Sequence, residues 1–132
     1  MTRRSIPEAR PRLLATREEL QQLARQRAED YRRLQEVARR EDLSDWPGAA
    51  TFSLLHTITG EETYGSRALA VAREIVEKPL RVGHEPFARE LAKIAVAYDH
   101  AHDLLTSEDK ERFHNYLNRT YTENIPHETP VF

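Results

Sequence analysis

Apolar residues return at three- and four-residue steps along most of this chain, the spacing that lays one stripe down an α-helix. Leu20, Leu23, Ala24, Ala28, Tyr31, Leu34, Val37 and Ala38 form the first stripe. It is entered through Thr16 and Glu19, a capping-box pair whose hydroxyl and carboxylate satisfy backbone donors of the first turn. The stripe predicts a helix from Thr16 to about Arg40, open to a break near Gln26 that no glycine or proline enforces. Asp42 to Gly48 reads as a loop, because Pro47 restrains Trp46 and Gly48 frees the chain. A second helix is expected from about Ala49 to Thr59, apolar on most sides and stopped by Gly60. A third, from about Glu62 to Glu77, turns Tyr64, Ala68, Leu69, Val71, Ala72, Ile75 and Val76 inward, and its small residues admit the second helix closely. After the loop Lys78 to Pro86, a fourth helix from near Phe87 to Leu105 buries Leu91, Ile94, Ala95, Ala97, Tyr98 and Ala101. A fifth, capped by Thr106 and Asp109, carries Phe113, Tyr116 and Leu117 to about Tyr121.

The fold class is therefore all-α, a succession of antiparallel helical hairpins over residues 16–121. An extended N-terminal arm, 1–15, holds Pro7 and Pro11, and a tail, 122–132, ends on Val131-Phe132 and reads as unfinished. Short connections favour antiparallel neighbours, so the junctions alternate between two ends. The tight turns at Gly60 to Glu61 and at Thr106 then share one end, and Asp42 to Gly48, Lys78 to Pro86 and Asn124 to Phe132 share the other. Loops on a rigid scaffold carry binding residues, which makes Trp46, Arg81, His84 and His127 the substrate-binding candidates. An indole face stacks on sugar rings, a guanidinium pairs with a carboxylate, and imidazoles donate or accept hydrogen bonds. The bland reading of the same residues is a Trp46 plug over the end of the core and three solvated loop side chains.

Composition narrows the chemistry. A chain of 132 residues buries about two thirds of its unfolded surface in one core. Charged residues make up 32% and the formal net charge is −2, so no net basic field gathers nucleic acid. Arginines from Arg3 to Arg40 make the N-terminal third locally basic, either steering an anion or clothing a solvated helix face. The absence of cysteine excludes disulfides and thiolate metal sites. No run approaches the ~20 apolar residues of a membrane span, so no membrane partner is expected. The start lacks an apolar signal region, which reads as cytoplasmic by default and periplasmic or secreted if the start is incomplete.

His100 and His102 stand two apart, which on a helix points them to different sides and argues against a metal pair. Asp99 is spaced for a surface hydrogen bond or charge pair with His102 or Asp103. Tyr98 lies on the buried stripe and reads as a packing residue with a hydrogen-bonded hydroxyl. No phosphate loop, nucleophile elbow or zinc-helix motif is present, so neither a cofactor nor a catalytic residue is assigned.

Three segments carry a resemblance. Pro11-Arg12-Leu13-Leu14-Ala15-Thr16-Arg17-Glu18-Glu19-Leu20 resembles the opening of the heparinase II/III-like polysaccharide lyases. Leu54 to Tyr64 and Ala97 to Arg112 resemble two of that family's helical hairpins, in the same order. His100 departs from the pattern, standing where the family usually has an aromatic. The resemblance implies a partial (α/α) toroid of about five helices, continued elsewhere by more hairpins and a β-sandwich domain. It also implies an acidic polysaccharide or oligosaccharide partner and β-elimination next to a uronate carboxylate. The family's Asn or His charge neutraliser, Tyr acid/base and His lie beyond the matched region, so no catalytic residue is carried over and the segment is expected to be inactive alone. The competing reading is a helical-repeat interaction module without catalysis. Gly60, Tyr64, Ala68, Ala72 and Pro79 echo tetratricopeptide spacing, but nothing repeats at a period of about 34 residues.

Overall fold

A computed structural model describes residues 9–79, 84–120 and 122, with the backbone alone for 84–87. The elements are α1 (Arg17–Gln26), α2 (Ala28–Ala38), α3 (Asp45–Thr59), α4 (Glu62–Glu77), α5 (His84–His100), a 3₁₀ turn (His102–Leu104) and α6 (Ser107–Arg119). No strand occurs among the described residues, and the all-α class stands.

Local sequence signals set several boundaries as expected. The Thr16 hydroxyl accepts the Glu19 N–H at 3.2 Å while the Glu19 carboxylate accepts the Thr16 N–H at 3.2 Å. Thr106 and Asp109 form the same reciprocal pair at the start of α6, at 3.0 and 3.1 Å. Gly60 ends α3 with φ of 75°, a left-handed conformation that suits glycine, and its N–H bonds the His56 carbonyl at 2.8 Å.

Tertiary packing moved other boundaries. The first apolar stripe is two helices, hinged at Arg27 (φ −121°, ψ 57°) with neither glycine nor proline present. Both segments lie against α3, and the bend lets a single stripe follow that surface. Helix α3 begins at Asp45, so Trp46, Pro47 and Gly48 belong to its first turn and not to a loop. A proline there costs little, because first-turn N–H groups have no helical acceptor to lose. Helix α5 begins at His84, inside the expected loop, and stops at His100 before the 3₁₀ turn.

The core is a three-helix stack of α3, α4 and α5, with α1 and α2 across α3 and α6 on α4. Ala49, Ala68, Ala72, Ala97 and Ala101 let the backbones approach, and Phe52, Leu55, Leu69, Ile94 and Phe113 fill the space between them. Each large apolar side chain so buried stabilises the fold by about 1.5–3 kcal/mol. Gly65 marks the closest approach: a β-carbon there would stand 2.9 Å from the His56 ring and 2.5 Å from a Leu104 methyl. The arginines of α1 and α2 form exposed pairs such as Arg27 with Asp30 and Arg32 with Glu36, a solvated face whose pairs contribute little.

Side-chain neighbours give the helix directions. Ser44 and Asp45 at the start of α3 share a cleft with Glu74 and Lys78 at the end of α4 and Arg89 near the start of α5. His56 and Thr57 near the end of α3 share another with His100 at the end of α5. Thus α3 and α5 run parallel, α4 packs antiparallel against both, and the molecule has a Trp46 pole and an arm pole. The expected third long connection, Asn124 to Phe132, lies outside the described residues.

Candidate functional site

At the arm pole, buried polar groups are concentrated. Asp99 is 0% exposed, and its carboxylate accepts the N–H groups of Arg12 and Leu13, both at 2.8 Å, and the Arg10 guanidinium at 3.1 Å. The surface pairing expected between Asp99 and its neighbours is thereby corrected: Asp99 pins the N-terminal arm onto the end of α5. Its partners lie 86 to 89 residues away, beyond what helix spacing reveals. Burial pushes the Asp99 carboxyl pKa up, but the Leu13 and Arg12 amides and the Arg10 guanidinium outweigh this and hold it below the usual range.

Two histidines stand beside this anchor in contrasting states. The nitrogens of His56 both meet acceptors, the Glu61 carbonyl and the Asp103 carboxylate, each at 2.9 Å. Satisfying both takes a donor at each nitrogen. His100 differs. Its Nδ1 lies 2.7 Å from the Thr57 hydroxyl, whose own proton is donated to the Ser53 carbonyl at 3.1 Å. Nδ1 must therefore donate, which leaves Nε2 as an acceptor, and that atom is buried with no partner among the described residues. Burial pushes the His100 pKa down, the Asp99 charge opposes this, and nearby His56 reinforces it, which favours the neutral ring. Arg17 crosses from α1 to donate Nε to the Thr57 carbonyl at 2.9 Å. Arg10, Arg17, His56, Thr57, His100, His102 and Asp103 line a cleft of about 290 Å³.

The Trp46 pole is organised differently. Lys93, 7% exposed, is held between the Asp45 and Glu90 carboxylates, the latter at 3.1 Å. Burial works to lower the Lys93 pKa, but the hydrogen bonds it donates to both carboxylates outweigh this and raise the value. The Lys93 hydrogen bond correspondingly lowers that of Asp45. A cleft of about 450 Å³ opens beside them, edged by Ser44, Glu74, Lys78 and Arg89.

Of the sequence candidates, Trp46 is 45% exposed on the first turn of α3. His84 begins α5, and α3 and α5 start at the same pole. Arg81 and His127 lie outside the described residues. Tyr98 packs edge-on to Phe113, and its hydroxyl lies 3.3 Å from His114 Nε2, as a packing residue with a satisfied hydroxyl should. Sequence reading missed Arg10, Arg17, His56 and Thr57 as a group; an imidazole and a threonine on an otherwise apolar, enclosed helix were the available signal. Among the described residues, no group of three metal-binding side chains occurs, and no helix is long and apolar enough to cross a membrane. No family model, curated protein or solved structure matches the chain.

Proposed function

We propose that this chain is the opening helical segment of a heparinase II/III-like polysaccharide lyase, supplying scaffold and one wall of a cleft for acidic glycans and performing no chemistry alone. One observation supports the reading above others: the three resembling segments interlock. Asp99 of the third holds the backbone of Arg12 and Leu13 in the first, Arg17 of the first binds Thr57 of the second, and His56 of the second pairs with Asp103 of the third. Segments shared for a structural reason are expected to meet in this way. In this reading the glycan wall is the Trp46 pole, with the indole as a stacking surface.

Trp46 is the chain's one tryptophan, so intrinsic fluorescence reports on that pole directly. Titration with uronate-containing oligosaccharides should shift Trp46 emission, while absorbance of the 4,5-unsaturated uronate product stays flat. An emission spectrum unmoved by every acidic glycan, or turnover by the chain alone, would sink the proposal. A helical interaction module is the second reading, favoured by the apolar groove of Leu20, Leu23, Ala24, Tyr31, Leu34, Leu54 and Ile58. Saturable glycan binding at Trp46 separates the two.

A further inference from the structure

The arm-pole cleft holds a combination of groups that the fold does not use up. Two of its basic groups are matched nearby: Arg10 by Asp99, and His56 by Asp103. Arg17 adds a positive charge beyond these. Only its Nε is given to the protein, to the Thr57 carbonyl, and no other hydrogen bond of its guanidinium occurs among the described residues. The guanidinium lies close against Gly60, where a β-carbon would stand 3.2 Å from Arg17 Nη2. A guanidinium with unspent donors selects an anion, and its fork matches a carboxylate.

His100 adds a second requirement. The chain Ser53 carbonyl, Thr57 hydroxyl, His100 Nδ1 runs in one direction only, which leaves Nε2 needing a donor. A buried acceptor without a partner costs free energy that a donor would recover. The cleft volume of about 290 Å³ is near the lower end, about 300 Å³, of ordinary small-molecule sites. One sugar-sized ring is the matching scale.

We propose that this cleft binds a small hydroxy-carboxylate of the sugar-acid class, its carboxylate paired with Arg17 and a hydroxyl donating to His100 Nε2. The site is separate from the Trp46 pole and does not depend on the lyase reading. Ten helical residues, about 15 Å of rise, separate Trp46 from His56 along α3.

The test is a titration of the whole chain with D-glucuronate, followed by NMR of the Thr57 and Gly60 amides and the His100 ring, with glucose and acetate as single-group controls. Glucuronate should shift these signals saturably and bind more tightly than either control, with Trp46 emission unchanged. Arg17→Gln, on an exposed side chain that leaves the core intact, should weaken glucuronate by about tenfold or more. His100→Asn keeps an N–H donor near Thr57 but lacks Nε2, and should weaken glucuronate while leaving the feeble acetate response unchanged. Unmoved signals with glucuronate, or wild-type affinity in both variants, would overturn the proposal. A silent Trp46 in the oligosaccharide experiment would not.

Discussion

The two poles of the helical stack bury charge in opposite ways. At the Trp46 pole Lys93 sits between two carboxylates, and one of them, Asp45, is 69% exposed, so water assists the compensation. At the arm pole Asp99 is wholly enclosed and its compensation comes from the chain itself, two amides and a guanidinium drawn from the N-terminal arm. The same length of α3 connects both. Connection length therefore does not locate the most elaborate polar burial: it lies beside the tight turns, where long-range partners converge.

The sharpest way to break this comparison is Asp99→Ala. It leaves the Arg10 guanidinium and two arm amides without their acceptor, and should cost about 3 kcal/mol. Urea unfolding gives the magnitude, and proteolysis within the arm shows whether the anchor was lost. A cost below that of the Lys93 substitution would refute the ranking of the poles.

Asp109, beside the tight turn at Thr106, should give the next largest effect. Hydrogen bonds from Arg73 at 2.7 and 2.9 Å, assisted by the Thr106 amide, hold its carboxyl down to about 2 from 3.8. A depressed carboxyl pKa stabilises the fold above the unfolded value, and that contribution is lost as pH falls from 3.8 through about 2. Asp109→Asn should therefore be less stable than wild type by about 2 kcal/mol at neutral pH. The two proteins should converge in denaturant midpoint toward pH 2; a gap constant with pH would contradict the assignment.

Lys93→Met should be mildest, about 1 kcal/mol, because Asp45 can turn to water and the methionine stem fills the same space. A loss as large as that of Asp99→Ala would mean that exposure of a partner does not soften the cost, and the contrast between the poles would fall.

The legible parts of the sequence are those governed by neighbours within a turn. The limits of α4, the capping boxes at Thr16 and Thr106 and the stop at Gly60 follow from residues three or four apart, whose backbone hydrogen bonds are made locally. The hinge at Arg27 was legible only as an optional break near Gln26, because it arises from two segments fitting one helix surface. The inclusion of Pro47 in α3 was obscured because proline is read as a breaker, although the first turn has no acceptor to deny it. Asp99 looked exposed because its helical neighbours were polar, and its true partners come from the far end of the chain.

Hydrophobic period and capping chemistry by themselves determined that this protein is a set of helices, roughly where each begins and ends, and which face each buries. The tertiary structure alone decided that the arm closes over Asp99, that Gly65 admits the His56 ring, and that His100 is left with an unanswered acceptor. The division has a physical cause. Helix formation is set by interactions over one turn, whereas the fate of a buried polar group depends on which distant donor the packing brings within 3 Å.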